Sequence, residues 1–369
     1  MNCFKWLVAL ASISVAATDP VIAQGTSVTD SVSSPGLAAN VVGDRSIRPM
    51  VIYLPPSYRN QSSRRYPVLY MLHGATSVPE EWLDGKTYQG LNLEVTLDSL
   101  MAAAVIPEMI VVMPNSDNAL GASWYTNSPA LGNWEDFVVQ DVVRHVDSHY
   151  RTQAQRARRA LFGHSMGGFG ALKIGFTHPD VFGFVYASSP ALIALSGPLA
   201  PSGRVWSALS AVTRWQDAPG QMRLVLAFAA ALDGSRTNPR LFDELPFSAG
   251  ADGIVFAHLA VRARWLARMP PDLASEMVRR GDRQPALLLE AGTEETAILD
   301  GIQVLRARLD SLRVHYADST FTGGHIDQVR ERMTHHILPA VGRWFTQDPG
   351  GAAVPRIEMG PSTGRQPAN

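Results

Sequence analysis

The run Gly163-His164-Ser165-Met166-Gly167, followed by Gly168, constrains this chain more than any other segment. It lies between an apolar stretch, Ala160-Leu161-Phe162, and a helix-favouring stretch from Phe169 to His178. A strand that passes into a helix within so few residues must turn very tightly, and only small residues can flank the apex. Gly163 and Gly167 supply that room. The apex serine is then lifted above the edge of a sheet, beside a helix N-terminus whose free N–H groups can receive negative charge. Strand, sharp turn and helix in this order form the setting of a nucleophile elbow, with Ser165 as the candidate nucleophile.

The rest of the chain alternates in a way that suits such a turn. Apolar, β-branched runs at Met50–Leu54, Val68–Leu72, Met109–Met113, Ala160–Phe162, Phe184–Ala187, Ala286–Leu289 and Arg313–Tyr316 read as strands. Most are continuously apolar, as strands covered on both faces are. Helical stretches fall between them, from about Leu91 to Ala104 and from about Trp134 to Ser148. A third carries Ile298, Ile302, Leu305, Leu309 and Leu312 on one face. Strands alternating with helices predict an α/β fold, a doubly wound and mostly parallel sheet. Residues 196–284 break the rhythm. They are Ala- and Arg-rich, read as mostly helical, and are interrupted by Pro201, Pro219, Pro239, Pro246 and Pro270. They form a helical insertion that either caps the site or packs on one face of the sheet.

Both ends read differently from the middle. Lys5, an apolar run from Trp6 to Ala17, a break at Thr18-Asp19-Pro20 and the small residues Val21-Ile22-Ala23 follow the pattern of a secretory leader. Residues 1–23 are therefore expected to be a signal peptide cleaved after Ala23, with Ala17 as a second position, leaving a secreted or periplasmic protein. The apolar run is too short for a comfortable membrane span, so no stable membrane anchor is expected. Residues 347–369, rich in Pro, Gly, Ser and Thr, read as a disordered tail after a domain over 24–346. The single cysteine, Cys3, lies in the leader, so the mature chain offers no thiol nucleophile and no Cys-based metal site. With 32 basic and 33 acidic residues the charge is nearly balanced, which gives no electrostatic footprint for nucleic acid. No cluster of His, Asp and Glu suggests a metal, and no phosphate loop or dinucleotide fingerprint follows a strand, so no cofactor is expected.

A serine hydroxyl needs a general base, usually a histidine held by a carboxylate. Behind a nucleophile elbow these follow the serine in the order acid, then histidine. His325, in Thr322-Gly323-Gly324-His325 after the last strand, has the right place and a backbone able to bend over the sheet edge. His335 and His336 fall on a later amphipathic helix, and His164 is too close in the chain to turn toward Ser165. The acid should follow Ala286–Leu289. Glu290 still belongs to that strand and is expected to point away; Glu294 and Glu295 lie in the loop, and Asp300 is the more distant candidate. For the oxyanion hole, Met166 N–H follows the nucleophile directly. The second donor should come from His73-Gly74-Ala75-Thr76, with Ala75 ahead of Thr76.

Several segments together resemble the putative-esterase (esterase D-like) family of the α/β-hydrolases. They are Val51 to Pro55 with Tyr58, Tyr66 to Gly74, Trp82, Ile110 to Asn115, Ser123 to Ser128, Arg159 to Gly170, His178 to Phe182 and Gly323-Gly324-His325. That branch includes carbohydrate acetyl and feruloyl esterases, tributyrin esterases and mycolyltransferases. The resemblance implies the α/β-hydrolase fold with no metal or organic cofactor. It also places the nucleophile on Ser165, the base on His325, the acid on Glu295 and the oxyanion donors on Ala75 and Met166. Glutamate departs from the aspartate usual in the family at that position.

These readings lead to the expectation of a secreted serine carboxylesterase acting on short-acyl or carbohydrate-linked esters through a Ser-His-Glu triad. Its partner would be a small-molecule or carbohydrate ester. Acyl transfer to a sugar or lipid alcohol would use the same residues, and a non-catalytic hydrolase-like binding protein is the alternative of a different class. Trp124 and Tyr125 are candidates for the substrate pocket, although their bulk would serve a core equally well.

Overall fold

The computed structural model describes residues 24–220, 222–249 and 255–347. The expected leader lies outside the described residues, as does the expected tail apart from Gln347. Eight strands form the main sheet: β1 (Thr26–Ser33), β2 (Ile47–Leu54), β3 (Val68–Leu72), β4 (Ile110–Pro114), β5 (Arg159–His164), β6 (Phe184–Ser188), β7 (Ala286–Gly292) and β8 (Ala317–Phe321). Their spatial order is β1-β2-β4-β3-β5-β6-β7-β8. β2 runs antiparallel to both β1 and β4, and every other pairing is parallel. The carboxyl ends of β3, β5, β6, β7 and β8 therefore share one edge, the edge at which open α/β sheets place their ligands.

Every residue of β3, β4, β6 and β7 is buried, because helices cover both faces. Side chains alternate across the sheet. Val68, Tyr70 and Leu72 of β3 join one apolar layer, whereas Leu69 and Met71 join the other. The second layer is covered by α1 (Leu93–Ala102) and by α9 (residues 329–346), through Leu93, Leu97, Met333, Ile337 and Val341. The first is covered by α2 (residues 134–149), α3 (Met166–Thr177) and α8 (Thr296–Leu312). α2 contains a π-helical stretch, Phe137–Val142.

The 196–284 segment joins that same layer. It holds α4 (Val205–Ala211), α5 (Met222–Asp233), α6 (Leu259–Leu266) and α7 (Pro270–Arg279), with a short hairpin pairing Phe247–Ala249 with Val255–Ala257. Phe228 of α5 packs edge-on against Phe169 of α3, ring centroids 5.4 Å apart, and against Trp124 at 4.7 Å. Trp265 of α6 continues the stack onto Phe228 at 5.7 Å. Most of the segment thus packs on the sheet face carried by α3, while its first residues reach the site edge.

Two edge strands differ from the sequence reading. β1 was not expected, because Thr26–Ser33 is polar and buries only Val32 fully. The final strand was expected at Arg313–Tyr316 but lies at Ala317–Phe321. Arg313 instead terminates α8 in a left-handed conformation (φ 57°). An edge strand has one neighbour and one covered face at most, so Asp318, Ser319 and Thr320 satisfy β8 without an apolar run.

A buried ion pair ties α3 to α2. Glu135 Oε2 lies 3.1 Å from Lys173 Nζ, and Glu135 Oε1 accepts from Thr177 Oγ1 at 2.6 Å and pairs with His178 Nε2 at 3.1 Å. Burial acts to raise the Glu135 carboxyl, but His178, Lys173 and Thr177 together outweigh it and bring its pKa down to about 2. The ionised carboxylate therefore stabilises the fold above the ordinary glutamate range, and this contribution is lost as pH falls from that range toward 2. Glu135→Gln is expected to cost roughly 3 kcal/mol at pH 7, measured by urea unfolding. The difference from the unsubstituted protein should shrink as pH drops below the usual carboxylate range; a difference that grew there would contradict the assignment.

Candidate active site

The elbow adopts the geometry its glycines permit. Ser165 sits at φ 60°, ψ −119°, a backbone region that non-glycine residues seldom enter. A Cβ on Gly163 would lie 1.9 Å from Gly167 O, and one on Gly167 would lie 2.1 Å from Leu72 O. Neither position can therefore carry a side chain. The turn is held by Ser165 N–H donating to Ser188 O (3.0 Å), while Ser165 O accepts from Phe169 N–H and Ala191 N–H, both at 3.1 Å.

The loops after β7 and β8 meet above this turn. Thr293 N–H donates to Phe321 O (2.8 Å) and Glu294 N–H to Gly323 O (3.0 Å). This stitching brings His325 over Ser165. Ser165 Oγ lies 2.8 Å from His325 Nε2, and His325 Nδ1 lies 2.5 Å from Glu295 Oε1. Glu295 Oε2 accepts from Ser189 Oγ at 2.6 Å and from Gly292 N–H at 2.5 Å. Burial acts to raise the Glu295 carboxyl, but the hydrogen bonds from His325, Ser189 and Gly292 prevail and hold it below the usual glutamate value. A carboxylate fixed on both oxygens in this way keeps the proton of His325 on Nδ1 and leaves Nε2 free to accept from Ser165.

The other acidic candidates are elsewhere. Glu294 is exposed on the loop, with its backbone rather than its carboxylate in the network. Asp300 is exposed on α8. Glu290 is fully buried and bound to Arg332, to Tyr186 Oη at 2.6 Å and to Ser188 Oγ at 2.9 Å. His335 lies on α9 near Glu331, and His336 is half-buried there. His164 is buried, with its ring centroid 4.9 Å from that of His325. Burial, with the neighbouring His325, lowers its pKa to about 3, so it remains neutral.

The loop after β3 lies against Ser165: a Cβ on Gly74 would come within 3.4 Å of Ser165 Cβ. Thr76 N–H is engaged by Gly121 O at 2.7 Å, whereas Ala75 N–H has no protein acceptor among the described residues. Met166 is the first residue of α3, so its N–H belongs to the unpaired donors of a helix N-terminus. The loop is anchored by His73, whose Nδ1–H donates to Gly74 O at 2.8 Å and whose Nε2 accepts from Ser116 N–H at 2.9 Å. Burial lowers the His73 pKa to about 4, which keeps this neutral tautomer in place.

Trp124 and Tyr125 are both buried, and neither lines the cavity beside His325. Tyr125 Oη donates to His73 O at 3.0 Å, and its ring fills the space over Gly170. Trp124 Nε1 donates to Leu224 O at 3.1 Å, and its ring packs on Phe169 and Phe228. They support the loop after β3 and α3 from behind. The sequence reading did not include Ser189, which holds Glu295; the only sequence signal would have been the Ser188-Ser189-Pro190 run at the end of β6. Among the described residues no group of three or more His, Cys, Asp or Glu side chains is placed to hold a metal ion, and no helix is long and apolar enough to cross a membrane.

The chain was compared with known proteins. Esterase Rv1288 of Mycobacterium tuberculosis (strain ATCC 25618 / H37Rv) is 38% identical over 126 residues, which is 33% of this chain and 24% of that protein. The endo-1,4-beta-xylanase/feruloyl esterase of Xylanibacter ruminicola is 30% identical over 145 residues, 36% of this chain and 18% of that protein. The match thus spans a quarter or less of either relative. A solved ferulic acid esterase shares the fold, with TM-score 0.60 at 22% identity over 87% of this chain and 99% of that one. The signature of the family described as Putative esterase matches residues 45–326. Because that match runs from just before β2 through His325, and so contains Ala75, Ser165, Glu295 and His325, this chain belongs to the Putative esterase family of α/β-hydrolase-fold proteins.

Proposed function

We propose that this protein is a serine carboxylesterase. The observation that carries the reading is the unbroken hydrogen-bonded line from Ser165 Oγ through His325 to Glu295, at 2.8 and 2.5 Å, beside two available N–H donors. Ser165 Oγ attacks the ester carbonyl and forms the Oγ–C bond while its proton passes to His325 Nε2. The developing oxyanion is received by Ala75 N–H and Met166 N–H. The C–O bond to the alcohol then breaks, and His325 returns the proton to the departing oxygen. Water repeats the sequence on the acyl-enzyme and regenerates Ser165. Glu295 stays ionised throughout, fixes the tautomer of His325 and stabilises its charged form.

The substrates follow from family and relatives. Short-acyl and carbohydrate-linked esters are the first class to test, with feruloyl esters included because two of the similar proteins are feruloyl or ferulic acid esterases. Assays with and without an added sugar or lipid alcohol distinguish hydrolysis from acyl transfer by the same triad.

Ser165→Ala is expected to abolish ester hydrolysis, and a fluorophosphonate probe should label Ser165 alone; labelling elsewhere would overturn the mechanism. Glu295→Gln should lower turnover by about 10⁴, as neutralising the histidine partner does in the template case. Glu294→Gln should leave turnover nearly unchanged, and the opposite ranking would move the acid to Glu294. Ser189→Ala removes one donor to the Glu295 carboxylate and should reduce turnover roughly tenfold with little change in KM. Ser189→Thr, which keeps the hydroxyl, should restore most of it.

We further propose that the protein is exported, on the leader pattern of residues 1–23. N-terminal sequencing of the native protein should begin at Gln24, or at Thr18. Recovery of Met1 in a soluble cytoplasmic fraction would exclude export.

A further inference from the structure

The ends of β6, β7 and β8 meet at one buried ion pair. By the alternation of a strand, Glu290 shares with Ala286 and Leu288 the face of β7 that α9 covers, and it is fully buried. Arg332 of α9, also buried, donates to Glu290 Oε2 through Nε at 3.1 Å and again through Nη2. Tyr186 Oη donates to the same oxygen at 2.6 Å, and Ser188 Oγ donates to Oε1 at 2.9 Å. The Arg332 guanidinium also lies over the ring of Phe321, 5.3 Å from its centroid. On the reading of Ser165, His325 and Glu295 given above, we propose that Glu290 and Arg332 are positioning residues for the triad, acting through Ser188 and Ser189.

Stability alone does not account for such a pair. Taking two charges out of water is costly, and apolar side chains of similar volume often serve a core as well or better. What the pair supplies, and an apolar cluster does not, is direction. A carboxylate that accepts from a guanidinium, a phenol and a hydroxyl fixes all three at set distances and angles.

Direction matters at the end of β6. Ser188 O accepts from Ser165 N–H at 3.0 Å, so the residue gripped by Glu290 also holds the backbone of Ser165. The next residue, Ser189, turns into a left-handed conformation (φ 44°) that is costly for a residue other than glycine. Its N–H donates to Glu290 O at 2.7 Å, and its Oγ holds Glu295 Oε2 at 2.6 Å. Ser165 and Glu295 are thus both held from the Ser188-Ser189 pair. His325 stands in the loop that leaves β8 after Phe321, the ring under the same guanidinium. Neither Glu290 nor Arg332 enters the hydrogen bonds of Ser165 Oγ or of the His325 ring.

Hydrolysis of p-nitrophenyl acetate, the rate at which a fluorophosphonate labels Ser165, and urea unfolding together test the proposal. In Tyr186→Phe/Glu290→Leu/Arg332→Met the polar cluster becomes apolar, and the urea midpoint should stay at or above that of the unsubstituted protein. Its kcat and labelling rate should nonetheless fall about a hundredfold with KM within about twofold, as expected when reacting groups are slightly misplaced. Full kcat in the folded triple variant overturns the proposal, and so does a loss that only matches the fraction unfolded. Ser188→Ala removes a single hydrogen bond and decides the matter if the triple variant does not fold. It should lower kcat about fivefold at unchanged KM; an unchanged kcat overturns the proposal. Combined with Ser189→Ala it should cost less than the two losses multiplied, because both act on Glu295 by one route. Losses that multiply in full place Ser188 outside that route and also overturn it. If the unsubstituted protein neither hydrolyses the ester nor is labelled, the esterase reading falls and this inference falls with it.

Discussion

The site depends on how closely α3 approaches the ends of β3 and β5. Gly167 rests against Leu72 O and Gly163 against Gly167 O, contacts that leave no space for a Cβ. This approach sets the N-terminus of α3 directly beside Gly74 and Ala75, so that two backbone donors from distant parts of the chain converge next to Ser165. It also forces Ser165 into a strained conformation, at a cost of about 1–3 kcal/mol. The strain is held by the anchoring of its neighbours. The residues of α3 from Met166 to Phe176 are all buried, and Phe169 is locked among Trp124 and Phe228.

Three imidazoles lie around Ser165, and their environments separate them. His73 and His164 are buried, which keeps both neutral: His73 as a two-ended clamp on the β3 loop, His164 as a ring packed against His325. His325 alone among them faces a carboxylate. That carboxylate is itself fixed by Ser189 and Gly292, so the orientation of the imidazole is set two contacts away from Ser165. The neighbouring Glu290 is shielded from this competition, because Arg332, Tyr186 and Ser188 already engage it.

The 196–284 segment joins the core to the edge that carries His325. Its helices extend the apolar layer over α3 through Phe228 and Trp265, so the rigidity of the elbow depends on packing contributed from an insertion. Its first residues, with the loop after β6, form one wall of the cavity beside His325. A single segment thus braces the turn that carries Ser165 and bounds the space next to it.

The parts of this protein legible in the sequence are those set by local physics. The glycines of the elbow declare a turn that admits no side chain, and continuously apolar runs declare strands covered on both faces. The order of Ser165, the β7 loop and His325 along the chain already singled out the residues that the fold brings together. The edge strands β1 and β8 were missed or misplaced because half-exposed strands need no apolar signature. Trp124 and Tyr125 were ambiguous because an aromatic residue is suited equally to a pocket or to a core, and only their neighbours show that they brace the β3 loop. The choice between Glu294 and Glu295 had no basis in the adjacent identical residues themselves, and only the family resemblance favoured Glu295. It is decided by the direction in which the loop turns after Gly292, which depends on its hydrogen bonds to the β8 loop some thirty residues later. Composition and spacing thus determined the sheet, the elbow and the candidate residues, whereas contacts between distant segments decided which carboxylate meets His325, which N–H remains free and where the cavity beside His325 opens.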